Sequence, residues 1–284
     1  MGDSGAMDSH ESLEALAARA VLGDRDALRR VVEKAQGTVF RLALRMLMDP
    51  ADAEDATQEI LVTLVTHLGE FQGRSALLTW VHTLASRHLM RFRKGRAERV
   101  PMEPESLAAT LDAGMQVATA SAIQEPESGA WTQEVRLSCT HGMLAVLSRE
   151  ERLAIVLVDI LGLDSAVGAE ISEVSPDAFR QRLSRARARL RPILEQRCGL
   201  VAPSNPCRCP AQVKAKRAVG RLGPAPTLQQ LAPVEDEASA RTRRAAREVG
   251  LAYEAARAFH VDPPLQPPAA LFERLRAALP TLLG

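Results

Sequence analysis

The chain has 284 residues, a formal net charge of +1 and only 3% aromatic side chains. That length holds two or three small domains with modest cores, and the near-zero charge excludes a uniformly basic nucleic-acid binder. Arginines instead gather near 87–99 and 180–197, where local fields outweigh the sum.

No secretory leader or membrane-length apolar run is visible, and four cysteines, three of them clustered, do not make a secreted disulfide framework. A cytoplasmic protein without membrane contact is expected. Helical periodicity recurs and alternating strands do not, so the fold class is all-α.

In chain order, residues 1–12 read as a disordered lead-in. Helices are expected over 13–23 and 26–48, with Val39, Phe40, Leu42, Ala43, Met46 and Leu47 in the core. Asp49-Pro50 then punctuates the chain, and Asp52, Glu54 and Asp55 crowd the first turn of the next helix, where the dipole favours carboxylates. Ile60, Leu61, Leu64, Val65 and Leu68 make its apolar stripe, while Asp55, Gln58 and Glu59 lie on another face.

Gly69 and Gly73 bracket Phe71 in a turn, and Ser75 is the expected N-cap of a second helix. There Leu77, Trp80, Val81, Leu84, Ala85, His88 and Phe92 fall on one side, with His82, Ser86 and Arg87 elsewhere; spacing makes Trp80 a core residue and leaves Phe71 exposed. Arginines and lysine follow at 91, 93, 94, 96 and 99. Rings beside cations suit single-stranded nucleic acid, where bases stack for about 1–3 kcal/mol each. A helix pair with one acidic and one basic, aromatic outer face points to two macromolecular partners.

Residues 100–134 contain no Lys or Arg and several prolines and carboxylates, so they read as a flexible acidic linker with one helical turn near 107–111. Helices follow over 135–147 and 149–161, with Ser148 as a cap, then a short helix over 165–171. Ser175-Pro176-Asp177 opens a long helix by the rules for helix starts. Phe179, Leu183, Ala186 and Leu190 form its apolar face; Arg180, Gln181 and Ser184 lie opposite, flanked by Arg182, Arg185, Arg187 and Arg189. A packed back, polar groups for base edges and guanidinium groups for phosphates describe a recognition helix.

After residue 197, Cys198, Cys207 and Cys209 place three thiols within twelve residues. Zinc is the one cofactor candidate, and it wants four ligands. Cys139, His141 and His260 are distant, so a reduced buried cluster and a redox-sensitive loop stay open beside metal binding. Residues 211–221 are basic, and amphipathic helices are expected over 239–260 and 268–283, with Val249, Ala252, Tyr253, Ala256, Phe259, Leu271, Phe272, Leu275 and Leu279 as apolar positions.

DAEDATQEI, the F-x-G-x-S turn and TWVHTLASRHLMRFR resemble region 2 of bacterial RNA polymerase sigma factors, most closely the extracytoplasmic-function (ECF) group. The resemblance implies that Asp52, Glu54, Asp55, Gln58 and Glu59 dock on the polymerase clamp, in the largest subunit. It assigns Phe71, Ser75, Trp80, Arg87, His88 and Arg91 to melting and capture of the −10 element, with Arg87 where many members carry Asn.

Arg182-Leu183-Ser184-Arg185-Ala186-Arg187 is similar to the end of the region 4 recognition helix. That likeness implies −35 contacts by Arg180, Gln181, Arg182, Ser184, Arg185 and Arg187. Gly168 replaces a bulky aliphatic and Glu173 a turn glycine, which predicts a looser first helix of the motif or an altered −35 preference.

The implied domains are 12–99 (region 2), 100–134 (linker, threading toward the active centre and RNA exit path), 135–197 (region 4, helix-turn-helix) and 198–284 (extension). Implied partners are core polymerase, promoter DNA and a candidate anti-sigma factor; the extension itself is expected to regulate the factor from within, in place of or alongside such an inhibitor. A non-enzymatic initiation factor is expected. The rivals are a stand-alone helix-turn-helix regulator and, more remotely, an enzyme using Cys139 and His141 as nucleophile and base.

Overall fold

The computed structural model describes residues 11–93, 98, 102–119, 129–218, 220, 222–223 and 267–283. Regular structure among them is helical, apart from one isolated bridge between Cys198 and Cys207. None of the described helices is long and apolar enough to cross a membrane.

The first module is α1 (Leu13–Val21), α2 (Arg25–Leu47), α3 (Pro50–His67) and α4 (Leu77–Arg91). Side chains of Ser12, Asp24 and Asp49 accept backbone N–H groups at the starts of α1, α2 and α3, satisfying donors that a helix start leaves open. Met48 stops α2 in the left-handed conformation, φ 59°. From Val39 to Leu47 nearly every side chain of α2 is buried, as befits a helix surrounded on all sides; α1, α3 and α4 pack around it.

Two details of α4 differ from expectation. Its N-cap is Ala76, not Ser75, and the Leu77 N–H donates to Glu14 Oε1 of α1 at 3.0 Å. That bond holds the Glu14 carboxyl below its usual range. The buried stripe is Leu77, Val81, His82, Ala85, Ser86 and Leu89, while Trp80, Leu84, His88 and Phe92 are half-exposed. With His82 and Ser86 on the inner face instead, Trp80 falls at the edge of the buried stripe.

Burial lowers the His82 pKa to about 4 and that of His141 to about 3. Both imidazoles are neutral in the fold and regain their ordinary affinity for a proton on unfolding. Stability is therefore full above about pH 6.5 and falls as pH drops from there toward 4. His82→Gln should flatten that slope by roughly 3 kcal/mol across the window, read as midpoint against pH in thermal melts of both proteins; parallel curves would refute the assignment.

The second module holds α5 (Pro104–Thr119), α6 (Ala130–Ala145), α7 (Arg149–Ile155) with a π-helical continuation over Val156–Ile160, α8 (Ser165–Ile171), α9 (Pro176–Arg197) and α10 (Cys209–Ala218). Ser148 and Glu151 form a reciprocal capping box at the start of α7. The expectation of a tether with one helical turn fails over α5. This helix packs on α9 and α10, buries Leu107, and anchors Asp112 through two hydrogen bonds from Arg197, at 2.8 and 3.0 Å.

The looser first helix expected from Gly168 is not found either. The Phe179 ring, itself fully buried, fills the space beside Gly168. In the turn between α8 and α9, Glu173 takes a left-handed backbone, φ 54°, at a cost of about 1–2 kcal/mol for a side chain of this kind.

Two arginines of α7 join the modules. Arg149 Nη1 donates to the carbonyls of Leu89, Met90 and Phe92 at the end of α4, at 3.2, 3.2 and 2.7 Å. Arg152 donates to the Met46 carbonyl near the end of α2, and both arginines bind Glu98.

The described parts of the extension pack on the two modules. Cys198 to Ala218 fold against the second module, with α10 on α5 and α6. The basic charge there is partly engaged: Lys216 donates to Ser138, and Arg217 lies 4.6 Å from the Trp131 ring centroid. Further on, α11 (Ala269–Ala278) packs on α3 and α12 (Pro280–Leu283) on α2, burying Leu271, Leu275 and Leu283. Residues 1–10 and the helix expected over 239–260 lie outside the described residues, as does His260.

Candidate macromolecular interfaces

The carboxylates of α3 divide by position. Asp55 and Glu59 are exposed and Gln58 is half-exposed beside them. Asp52 is not available to a partner: its side chain is 1% exposed and receives Arg93 Nη2 at 3.2 Å. Its place in the first turn fits either fate, and only the fold brings Arg93 back onto it. Glu54 is half-buried and bound by Arg274 of α11, so the extension holds one residue of this face.

Between α3 and α4 runs a groove of about 650 Å³, lined among others by Glu59, Trp80, Arg87, His88, Arg91 and Phe92. Phe71, expected to stand alone in its turn, packs on Trp80 with ring centroids 5.6 Å apart. His88 Nε2 lies 3.2 Å from Glu59 Oε2, and the His88 ring sits 5.9 Å from that of Phe92. The acidic and basic faces therefore meet in this groove rather than pointing apart. Trp80, assigned to the core by spacing, is one of its walls. Ser75 is half-buried at the turn, and Arg91 is exposed.

Arg87 is engaged across the module boundary. Its Nε donates to Glu173 Oε2 at 2.7 Å and Nη2 to the other carboxylate oxygen. Arg87 holds the Glu173 carboxyl below the ordinary carboxylate range, and Glu173 raises the guanidinium in return. Two of the three residues that departed from the resemblance are each other's partner, although 86 positions separate them.

Along α9, Phe179, Leu183, Ala186 and Leu190 are buried as expected, and Gln181, Ser184 and Arg185 are exposed with Arg180. Arg182 is half-buried. Arg187 differs from expectation. It donates to both oxygens of buried Asp159, at 3.2 and 2.6 Å, and so belongs to the module's interior rather than to its open face.

The cysteines converge more than their spacing implied. Cys139, Cys198, Cys207 and Cys209 all line one largely apolar cavity of about 630 Å³ between α5, α6, α9 and α10. Among the described residues, however, no three His, Cys, Asp or Glu side chains are disposed to hold a metal ion, which corrects the zinc expectation for Cys198, Cys207 and Cys209. Burial pushes Cys139 up to about 12 and Cys207 up to about 11, and raises Cys209. These thiols rest protonated, which makes them poor nucleophiles.

Comparison with known proteins agrees with the two modules. The Sigma-70 region 2 family matches residues 31–99 and the Sigma-70, region 4 family residues 137–190. The ECF RNA polymerase sigma factor SigM of Mycobacterium tuberculosis is 30% identical over 188 residues, which are 65% of this chain and 86% of that protein. The RNA polymerase sigma-H factor of Pseudomonas aeruginosa is 26% identical over 194 residues, 67% of this chain and all of that one. A solved structure of CnrH in complex with the cytosolic domain of CnrY covers 65% of this chain and 98% of its own, at 21% identity and TM-score 0.47. With an acidic helix face, a groove of rings and arginines and a long Ser-Pro-capped helix in place, and matches that span both modules, the chain belongs to the ECF family of RNA polymerase sigma factors, which direct transcription initiation.

Proposed function

We propose that α3 docks on polymerase through Asp55, Gln58 and Glu59, that the α3–α4 groove with Phe71 and Ser75 takes the separated −10 strand, and that α9 reads −35 duplex through Arg180, Gln181, Arg182, Ser184 and Arg185. Acting in the cytoplasm, the subunit supplies positioning and strand separation while polymerase does the chemistry. Glu54 becomes available to the enzyme once Arg274 releases it.

The observation that carries this reading is the exposure of Trp80 in a groove with Arg87, His88 and Arg91. A half-exposed indole beside guanidinium groups offers a base a stacking surface and its phosphates a counter-charge. The stand-alone regulator would need only α9 and leaves this groove and the α3 carboxylates unused.

Run-off transcription with reconstituted core polymerase tests it. Trp80→Ala should lose at least about tenfold on duplex templates, equivalent to one lost stacking contact, and recover on a template already opened around the start site. Equal loss on both templates would remove Trp80 from strand separation. No run-off product from any genomic fragment with the unaltered chain would end the whole reading.

A further inference from the structure

The cavity between α5, α6, α9 and α10 has no part in the polymerase and promoter contacts proposed above. Its volume of about 630 Å³ lies in the range of pockets that enclose a small organic ligand. Leu107, Leu111, Met143, Ile193 and Leu194 supply apolar wall. The protonated thiols of Cys139 and Cys207 add soft, uncharged surface to it.

Formal charge on the wall has one sign. Arg136, Arg197 and Lys216 line the cavity, and among the described residues no Asp or Glu does so. Arg197 is already bound to Asp112, and Lys216 donates to Ser138. Arg136 differs from both. Among the described residues no carboxylate pairs with it, and its guanidinium meets the Cys209 thiol, which is a weak acceptor. The Arg136 Nε is buried without a hydrogen-bond partner, and so is the Nε2 of His141 on the same wall. Buried polar groups ordinarily find a partner. A ligand that brings an anionic oxygen would supply one, while the apolar wall would take its hydrocarbon.

We propose that this cavity binds a small carboxylic acid with an apolar body of about ten to fourteen carbons. The carboxylate sits on Arg136 and the hydrocarbon lies along Leu107, Leu111 and Met143. The walls come from four helices, so an occupant ties α10, which follows the three clustered cysteines, to α5, α6 and α9. The site stands apart from the −10 and −35 assignments and does not depend on them.

The test uses the full chain and three probes of one chain length, dodecanoate, dodecanol and dodecyltrimethylammonium, each kept below its micelle-forming concentration. Isothermal titration calorimetry should give one dodecanoate per chain with a dissociation constant of roughly 1–100 μM, the range for about 14 non-hydrogen atoms. Dodecanol should bind at least about tenfold more weakly, because it brings no charge to the guanidinium. The ammonium probe should not bind measurably. In Arg136→Met the preference for dodecanoate over dodecanol should disappear, and in Arg136→Lys it should persist. Arg136→Gln gives the same reading as the methionine variant should the latter melt abnormally.

Dodecanol binding as tightly as dodecanoate to the unaltered chain would overturn the assignment of an anionic ligand. An undiminished preference in both Arg136→Met and Arg136→Gln would do the same. Uptake that does not saturate at one per chain would mean adsorption to outer apolar surface, and the cavity would not be the site. No binding of any probe, as when the chain itself fills the cavity, also ends the proposal.

Discussion

Gly168→Leu should cost the second module at least about 3 kcal/mol, at or beyond the upper end of ordinary overpacking. A Cβ built on Gly168 would already lie 2.4 Å from Phe179 Cζ, and three further carbons would follow it. The ring cannot swing away, because Phe179 is fully buried at the first turn of α9. Total stability of a domain is only about 5–15 kcal/mol, so a visible loss of cooperative melting in circular dichroism is expected.

Phe179→Ala alone should cost about 3–5 kcal/mol by leaving a cavity. The two changes together should cost clearly less than their sum, since the leucine occupies the volume that the ring vacates. Strict additivity in the double variant would mean that Gly168 and Phe179 do not share that space, and the account of this departure from the family pattern would be wrong.

Asp55→Lys with Glu59→Lys should weaken association with core polymerase by roughly three orders of magnitude, taking about 2 kcal/mol for each reversed charge at a complementary interface. Both carboxylates are exposed, so the thermal midpoint should scarcely move, and duplex binding through α9 should be retained. The check is a pull-down or fluorescence titration with core enzyme at fixed salt. Undiminished association would remove α3 as the docking face.

Asp52 should not be used for this purpose. Its side chain is buried with Arg93 on it, and a lysine there would leave an uncompensated charge inside the module. Loss of polymerase binding in that variant would report unfolding.

The helices most legible in the sequence were those with strong local signals. The face of α9 follows from Phe179, Leu183, Ala186 and Leu190 at helical spacing behind a Ser-Pro cap, and the order α2, α3, α4 from apolar stripes divided by Asp49-Pro50 and by the Gly69–Gly73 turn. Failures arose where tertiary contacts outweighed local pattern. The composition of α5 reads as a tether because its ordering comes from Arg197 on Asp112 and from buried Leu107, which are distant in sequence. The phase of α4 was misjudged because a histidine and a serine occupy its inner face.

Site residues were legible in kind and misassigned in detail for a similar reason. A carboxylate at a helix start is favourable whether exposed or buried, so Asp52 could not be separated from Asp55 without the fold. Arg187 sits among arginines that face outward, and only the π-helical segment after α7 brings Asp159 to it. Arg149 and Arg152, which join the modules, lie in a charged run at the start of α7 with no pattern to single them out. The mutual pairing of Arg87 and Glu173 could have been suspected only from two opposite charges standing where a neutral side chain and a glycine are usual.

The bidentate bonds from Arg187 to Asp159 and from Arg197 to Asp112 also bear on how tightly α9 holds any DNA. A guanidinium already neutralised by a carboxylate displaces no condensed cation from a phosphate, and cation displacement is the source of sequence-independent affinity. On the −35 role proposed for α9, the helix would therefore grip an arbitrary duplex less strongly than its arginine content implies, and the difference between right and wrong sequence would fall to a larger extent on Arg180, Gln181, Ser184 and Arg185.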